Sequence, residues 1–419
     1  MRIRSAPGHL GVNCLAGRRG FLITARAAQP LTTPPPPNAA ASDSDQACRV
    51  VCESVLPSYD VCIIEDLLGV NSFFLARALA DCKSLVVTTP TVDRIFGARL
   101  RNALTSWELD AEVLVVPCTE ASKSPETVLE VCRVAADRRL GRNDALVSFG
   151  GGVCSDVVTL SASLIRRGIS HFRVPTTLTG QVDAGIGIKG GVNFCDKKNF
   201  LGCFYPPEEV LIDPTYLQSM ARAQLSAGFA EIVKMAIICD RELYDEIVAN
   251  GTQLLDTGFA APRDSAWRII WRSCELMLYE LQANIYEDRT YERLVDFGHT
   301  FSPHLEALSE YRTPHGHAVA LDMAISAAIA RELGTLSAEA FESIVNLLHD
   351  LELPVSSPLI SVEACLRSIQ EAARHRGGRP NLVIPMGVGS AAFVRRADDL
   401  SDSLIRDALS NLAAVVRAI

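Results

Sequence analysis

The chain has 419 residues, 48% of them hydrophobic and 21% charged, with a net charge of −9. That length and balance suit a globular protein of about two domains, and the acidic excess argues against a nucleic-acid binder, which carries a basic face. No apolar stretch reaches the ~18 residues a membrane span needs, so no membrane partner is expected.

Residues 1–46 stand apart. Arg2, Arg4, Arg18, Arg19 and Arg26 are basic, no acid precedes Asp43, and Pro34–Pro37 lead into an Ala/Ser run. Such a segment cannot build a core and reads as a disordered extension; its make-up equally fits organellar targeting. From residue 47 the pattern becomes regular. Ser84–Thr89, Glu112–Val116 and Ala145–Phe149 read as buried strands, with helical spacing after Val92 and over Pro125–Arg139. Strands alternating with helices predict a doubly wound parallel sheet over residues 47–214. Helical patterns then dominate residues 215–419: Ala223–Asp240, Ser265–Ala283, His299–Ser309, His315–Leu333, Ala338–Leu351 and Ser361–His375. An α/β nucleotide domain followed by an all-α domain is expected to place its site in the cleft between them. Thirteen scattered cysteines, with no C-x-x-C pair, read as reduced thiols of a cytoplasmic protein.

The chemistry starts at Gly150-Gly151-Gly152-Val153-Cys154-Ser155-Asp156, which follows a strand and opens a helix. Glycines let a backbone approach a pyrophosphate, and the helix N-terminus offers N–H groups and a favourable dipole. A tight strand-to-helix turn alone would look the same. Beyond it lie Arg167-Gly168, Val174-Pro175-Thr176-Thr177, Asp183, Lys189 and Lys198-Asn199, in a stretch also holding Gly180, Gly185, Gly187, Gly190 and Gly191. So many glycines make a poor helix and a ligand-lining loop, and lysines among them suit a phosphate.

These motifs, followed by A-E-I-V-K and D-F-G-H-T, resemble the dehydroquinate synthase superfamily over about residues 80–390. The resemblance implies that Gly151, Gly152, Asp156, Thr176 and Thr177 contact NAD, and that Glu120 and Lys123 meet its ribose and phosphates. It implies that Asp183, Lys189, Lys198 and Asn199 line the join between NAD and substrate. Arg167 is implied to reach the substrate phosphate of a neighbouring subunit, hence a homodimer. The metal ligands implied are Glu231, His299 and His315, two imidazoles and a carboxylate that leave zinc, or cobalt in its stead, an open position. His317 is the rival by proximity and is expected to serve substrate or metal indirectly. Lys189, Lys198, Asn199 and Lys234 are expected to stabilise phosphate, with Lys189 also placed to accept a proton.

Departures from dehydroquinate synthase itself point within the superfamily. Its substrate carries a carboxylate held by cations. Here Cys274–Gln282 contains no lysine, Arg293 stands one place out of register, Asp296 replaces an asparagine, Pro303 replaces a histidine, and His375-Arg376 replaces a lysine pair. The pattern resembles sugar phosphate cyclases that close sedoheptulose 7-phosphate. Asp183–Lys189 and Cys203–Pro207 are most similar to 2-epi-5-epi-valiolone synthases. Demethyl-4-deoxygadusol, 2-epi-valiolone, deoxy-scyllo-inosose and dehydroquinate synthases remain alternatives, as does a polyol dehydrogenase of the same fold.

Overall fold

The computed structural model describes residues 11–17, 20–26, 47–52, 58–69, 72–195 and 197–419, with side chains from residue 58 onward. The chain divides into two compact units, Met1–Ser219 and Met220–Ile419. The change of unit thus falls a few residues beyond the change in sequence pattern.

In the first unit the elements are β1 (Gly11–Gly17), β2 (Gly20–Arg26), β3 (Ala47–Cys52), β4 (Tyr59–Ile64), α1 (Phe74–Leu79), β5 (Ser84–Thr88), α2 (Pro90–Ser106), β6 (Ala111–Val115), α3 (Pro125–Asp137), β7 (Ala145–Gly150), α4 (Gly152–Leu164), β8 (Ser170–Pro175), β9 (Lys189–Phe194), β10 (Lys197–Phe204) and β11 (Glu209–Ile212). The main sheet has the order β1-β2-β3-β4-β11-β8-β7-β5-β6. From β4 to β6 every pairing is parallel. The central strands are apolar on both faces; β7 is buried along its whole length, while the edge strand β6 is only partly covered. The chain leaves β5 to β6 on one side and returns to β7 on the other. Ligands of open α/β sheets bind beyond the strand carboxyl ends at such a reversal. The glycine run follows β7 at that point.

Two features differ from the sequence expectation. Within the segment read as a structureless extension, β1 and β2 pair as an antiparallel hairpin, and β2 runs parallel to β3. The remainder of residues 1–46 lies outside the described residues, and with it the targeting reading. The glycine-rich stretch, expected as a loop, instead forms a π-helical turn, Gly180–Ala184, and then the β9–β10 hairpin. Gly190, Gly191 and Gly202 let the two strands and α4 approach closely: a Cβ on Gly190 would lie 2.6 Å from Thr159.

The second unit contains α5 (Arg222–Cys239), α6 (Arg241–Thr257), α7 (Arg263–Gln282), α8 (Ser302–Leu308), α9 (His315–Glu332), α10 (Ala338–Asp350), α11 (Val362–His375), β12 (Leu382–Pro385), β13 (Ala391–Val394) and α12 (Asp402–Val416). α5 and α9 are apolar nearly all round and almost wholly buried, so they form the centre of this unit. α6 had no counterpart in the sequence reading. The expected helix from His299 begins only at Ser302, because Pro303 lacks an N–H and fits only a first turn. His299 therefore sits in the preceding loop. Among the described residues no helix is long and apolar enough to cross a membrane, and ten cysteines are free thiols.

Candidate active site

The first unit assembles the nucleotide-side residues. Gly150 pairs with Pro175 in the β7–β8 register, and Thr176 N donates to Gly150 O at 2.9 Å. That pairing brings the glycine turn against Thr176-Thr177. A Cβ on Gly151 would lie 3.1 Å from the Thr177 methyl, so a side chain there would require Thr177 to give way by a few tenths of an ångström. Gly151 caps α4 without a side chain, and no acid occupies the first turn. The helix therefore offers N–H groups and its positive dipole end to an anion. The Thr176 hydroxyl is buried with no hydrogen-bond partner, a donor in want of an acceptor. These features fit a dinucleotide phosphate.

Beside the turn, Lys123 is 4% exposed and places Nζ 2.6 Å from Asp156 Oδ2. The same Nζ donates to Asn199 Oδ1 at 2.5 Å. Burial raises the Asp156 carboxyl above its usual range, and Lys123 pulls against that. Asn193, absent from the sequence reading, ties the group together. Its N donates to Lys123 O at 2.8 Å, its Nδ2 to Glu120 Oε1 at 2.9 Å, and its Oδ1 accepts from Asn199 N at 2.8 Å. Glu120, Lys123, Asp156 and Asn199 thus meet as one network, while Lys189 and Lys198 stand exposed on the hairpin.

Arg173 was also missed, although an arginine inside the apolar run Phe172–Pro175 was a signal. It is fully buried. Its guanidinium donates to Gly185 O at 3.2 Å, to Lys189 O at 3.1 Å, to Thr159 Oγ1 at 2.9 Å and to Gly187 O. It thereby shapes the segment between Asp183 and Lys189. Arg167 lies elsewhere, at the far end of α4 from the glycine turn, about 20 Å along a helix of this length. Arg166 and Arg167 both have left-handed backbones, φ 54° and 69°.

The second unit brings Glu231, His299 and His315 together, with one ligand atom from each within 4.8 Å of the others. The packing explains the convergence. A Cβ on Gly316 would lie 1.8 Å from Ala227 O, so only glycine lets the start of α9 rest on the α5 backbone, one turn before Glu231. Gly298 has φ +78°, and its missing Cβ would meet Val319 of α9 at 2.8 Å, which sets His299 beside the same helix. His315 Nε2 lies 3.5 Å from Glu231 Oε1. His315 Nδ1 is held by Glu306 Oε1 at 2.7 Å, and His299 Nδ1 by Phe297 O at 3.0 Å. Each imidazole is thus anchored through Nδ1 and leaves Nε2 for a metal, as ligating histidines usually are. Glu306 gave no signal in the sequence.

Burial, then the Lys234 charge, push His299 down to about 4, so it is neutral at pH 7. Burial also acts to lower His315, but Glu231 and Glu306 outweigh it and raise it to about 10. Burial works against the Glu231 carboxylate, yet Lys234 and the two histidines hold it well below the usual range. Lys234 Nζ is 2.5 Å from Glu231 Oε2. Two imidazoles and one carboxylate with converging ligand atoms fit a catalytic zinc-type ion. His317 is outside the cluster, and its Nε2 is buried without a hydrogen-bond partner.

Residues 113–227 match the N-terminal and residues 228–374 the C-terminal family model of 3-dehydroquinate synthase. The chain belongs to the 3-dehydroquinate synthase family. It is 37% identical to the 2-epi-5-epi-valiolone synthase of Streptomyces glaucescens over 362 residues, covering 85% of this chain and 91% of that one. The solved 2-epi-5-epi-valiolone synthase of Streptomyces hygroscopicus, with NAD+ and Zn2+ bound, superposes with a TM-score of 0.80 at 36% identity, covering 86% of this chain and 99% of that one. A 3-dehydroquinate synthase from Synechococcus is 35% identical over 338 residues, 80% of this chain and 90% of that one. The family likeness thus spans more than one cyclisation, and the choice among them rests on individual residues.

Proposed function

We propose that this enzyme is an NAD- and zinc-dependent sugar phosphate cyclase that converts sedoheptulose 7-phosphate to 2-epi-5-epi-valiolone and phosphate. The observation that carries the substrate choice is Asp296. Its Oδ1 lies 2.5 Å from the Arg293 guanidinium, its Oδ2 3.6 Å from that of Arg376, and its side chain is 16% exposed. Two arginines that could have met a substrate carboxylate are occupied by a protein one. Together with Pro303 and the lysine-free Cys274–Gln282, this disfavours a keto-acid substrate and suits a neutral hydroxymethyl ketone.

Bound, NAD+ would take and return a hydride while zinc acts as a Lewis acid on the oxygen at the reacting carbon. The glycine turn and Thr176 would hold the dinucleotide phosphates, and Lys123, oriented by Asp156, would face its ribose. Glu231, His299 and His315 would hold the ion. Lys189, Lys198, Asn199 and Lys234 would neutralise the departing phosphate, and Lys189 is available to accept a proton. Oxidation at the reacting carbon would acidify the neighbouring C–H, so that loss of the proton and of phosphate leaves an unsaturated ketone. Return of the hydride and opening of the sugar ring would then leave an enol whose intramolecular aldol addition closes the carbocycle, so the net reaction is not an oxidation. The position of Arg167 at the far end of α4 supports a homodimer in which it serves the neighbouring subunit's phosphate. The test is phosphate release from sedoheptulose 7-phosphate against release from 3-deoxy-heptulosonate phosphate. Consumption of the second alone would make this a dehydroquinate synthase.

A further inference from the structure

α8 and α9 each begin close to one of the two histidines, and each sends a buried carboxylate to the other. From α8, Glu306 accepts from His315 Nδ1, the first residue of α9. From α9, Asp322 reaches the segment that follows His299. Its Oδ2 accepts backbone N–H bonds from Thr300 at 2.7 Å, from Ser302 at 2.9 Å and from Phe301 between them. Its Oδ1 accepts from Ser326 Oγ at 3.1 Å.

Asp322 is fully buried, and among the described residues no arginine or lysine is paired with it. α8 has no cap from its own segment, so these amides depend on a residue of a different helix. A buried carboxylate is costly to desolvate, and an apolar residue would serve packing better. What the carboxylate supplies is a fixed geometry. His315 and Asp322 lie about two turns apart on one face of α9, so the helix carries one histidine and holds the backbone of the other. Arg376 also holds this segment, donating to His299 O at 3.2 Å and to Thr300 Oγ1 at 3.2 Å.

We propose that Asp322 is a positioning residue of the metal centre, and that with Glu306 it forms a reciprocal clasp fixing the separation of His299 and His315. The proposal rests on the metal assignment made above. It deepens that assignment by locating the control of ligand spacing in a residue that touches neither metal nor substrate.

The test is the zinc affinity of the full-length protein, measured by competition with a chromophoric chelator, beside the unfolding temperature of the metal-free protein. Asp322→Ala is expected to bind zinc about 10–100-fold more weakly, the range typical of groups that orient metal ligands. Asp322→Asn keeps the size and one oxygen acceptor, so it should fall between wild type and Asp322→Ala, and it carries the test if the alanine variant does not fold. Glu306→Gln combined with Asp322→Asn should lose less than the product of the single losses, because both changes release the same geometry. Variants that unfold at lower temperature yet bind zinc like wild type would overturn the proposal and leave Asp322 a fold residue. A wild-type protein that binds no zinc would instead overturn the metal assignment, and the clasp with it.

Discussion

Lys123 offers a way to separate what an ion pair does for the fold from what it does for the cofactor. Lys123→Met removes a cation that is 4% exposed and leaves Asp156, 22% exposed, without its charge partner. Breaking a buried pair from one side costs about 3–5 kcal/mol; the partial exposure of Asp156 places this case near 3 kcal/mol. For a unit of this size that corresponds to a fall of roughly 6–12 °C in unfolding temperature. The double variant Lys123→Met/Asp156→Leu removes the stranded carboxylate as well, and replacing both ions by apolar groups is often neutral. It should recover most of the lost stability. Dinucleotide affinity, read by quenching of protein fluorescence, should be lost in both variants, because the contact is gone in both. A single variant as stable as wild type, or a double variant that regains NAD binding along with stability, would refute this reasoning.

Glu231→Gln should keep the fold and lower zinc affinity by about 100-fold or more, with turnover lost; metal content after dialysis and an activity assay check both. Zinc must displace the proton that His315 holds up to about pH 10, so zinc affinity should rise about tenfold per pH unit between pH 7 and 9. The sign for the metal-free fold is opposite. A histidine raised above its unfolded value contributes stability that is complete below pH ~6.5 and is lost as pH rises through 10. Unfolding temperatures of the chelated protein across that window test it. If Arg167 acts across a dimer, mixing Arg167→Ala with Glu231→Gln, each inactive alone, should restore about a quarter of wild-type activity through heterodimers with one intact site. No recovery after refolding the mixture would place Arg167 within its own subunit's site or outside the chemistry.

Much of the site was legible because its residues sit in short local motifs. The glycine turn is a strand–loop–helix pattern, and Glu231, His299 and His315 each lie in a recognisable segment. The residues that orient them were not legible, for a physical reason. Asn193, Arg173, Glu306 and Asp322 act on backbone or side chains brought near only by tertiary packing, and a buried Glu or Asp on a helix looks in sequence like any other. Arg173 is the exception, since a charge inside an apolar strand is costly and therefore informative. α6 escaped because its apolar residues lie among many acids and amides. The start of α8 was placed early because the G-H-T segment looks like a helix start until Pro303 is given its weight. β1 and β2 escaped because arginine content outweighed a weak strand alternation.

The central claim is a cyclisation with no net redox change, and one incubation measures it. Purified enzyme with bound zinc, catalytic NAD+ and sedoheptulose 7-phosphate should release one phosphate per sugar consumed. A single C7 cyclitol should form, identified by NMR as 2-epi-5-epi-valiolone, with no accumulation of NADH at 340 nm. NADH accumulating in step with substrate, or sugar left intact while a carboxylated heptulosonate phosphate is consumed, would contradict it.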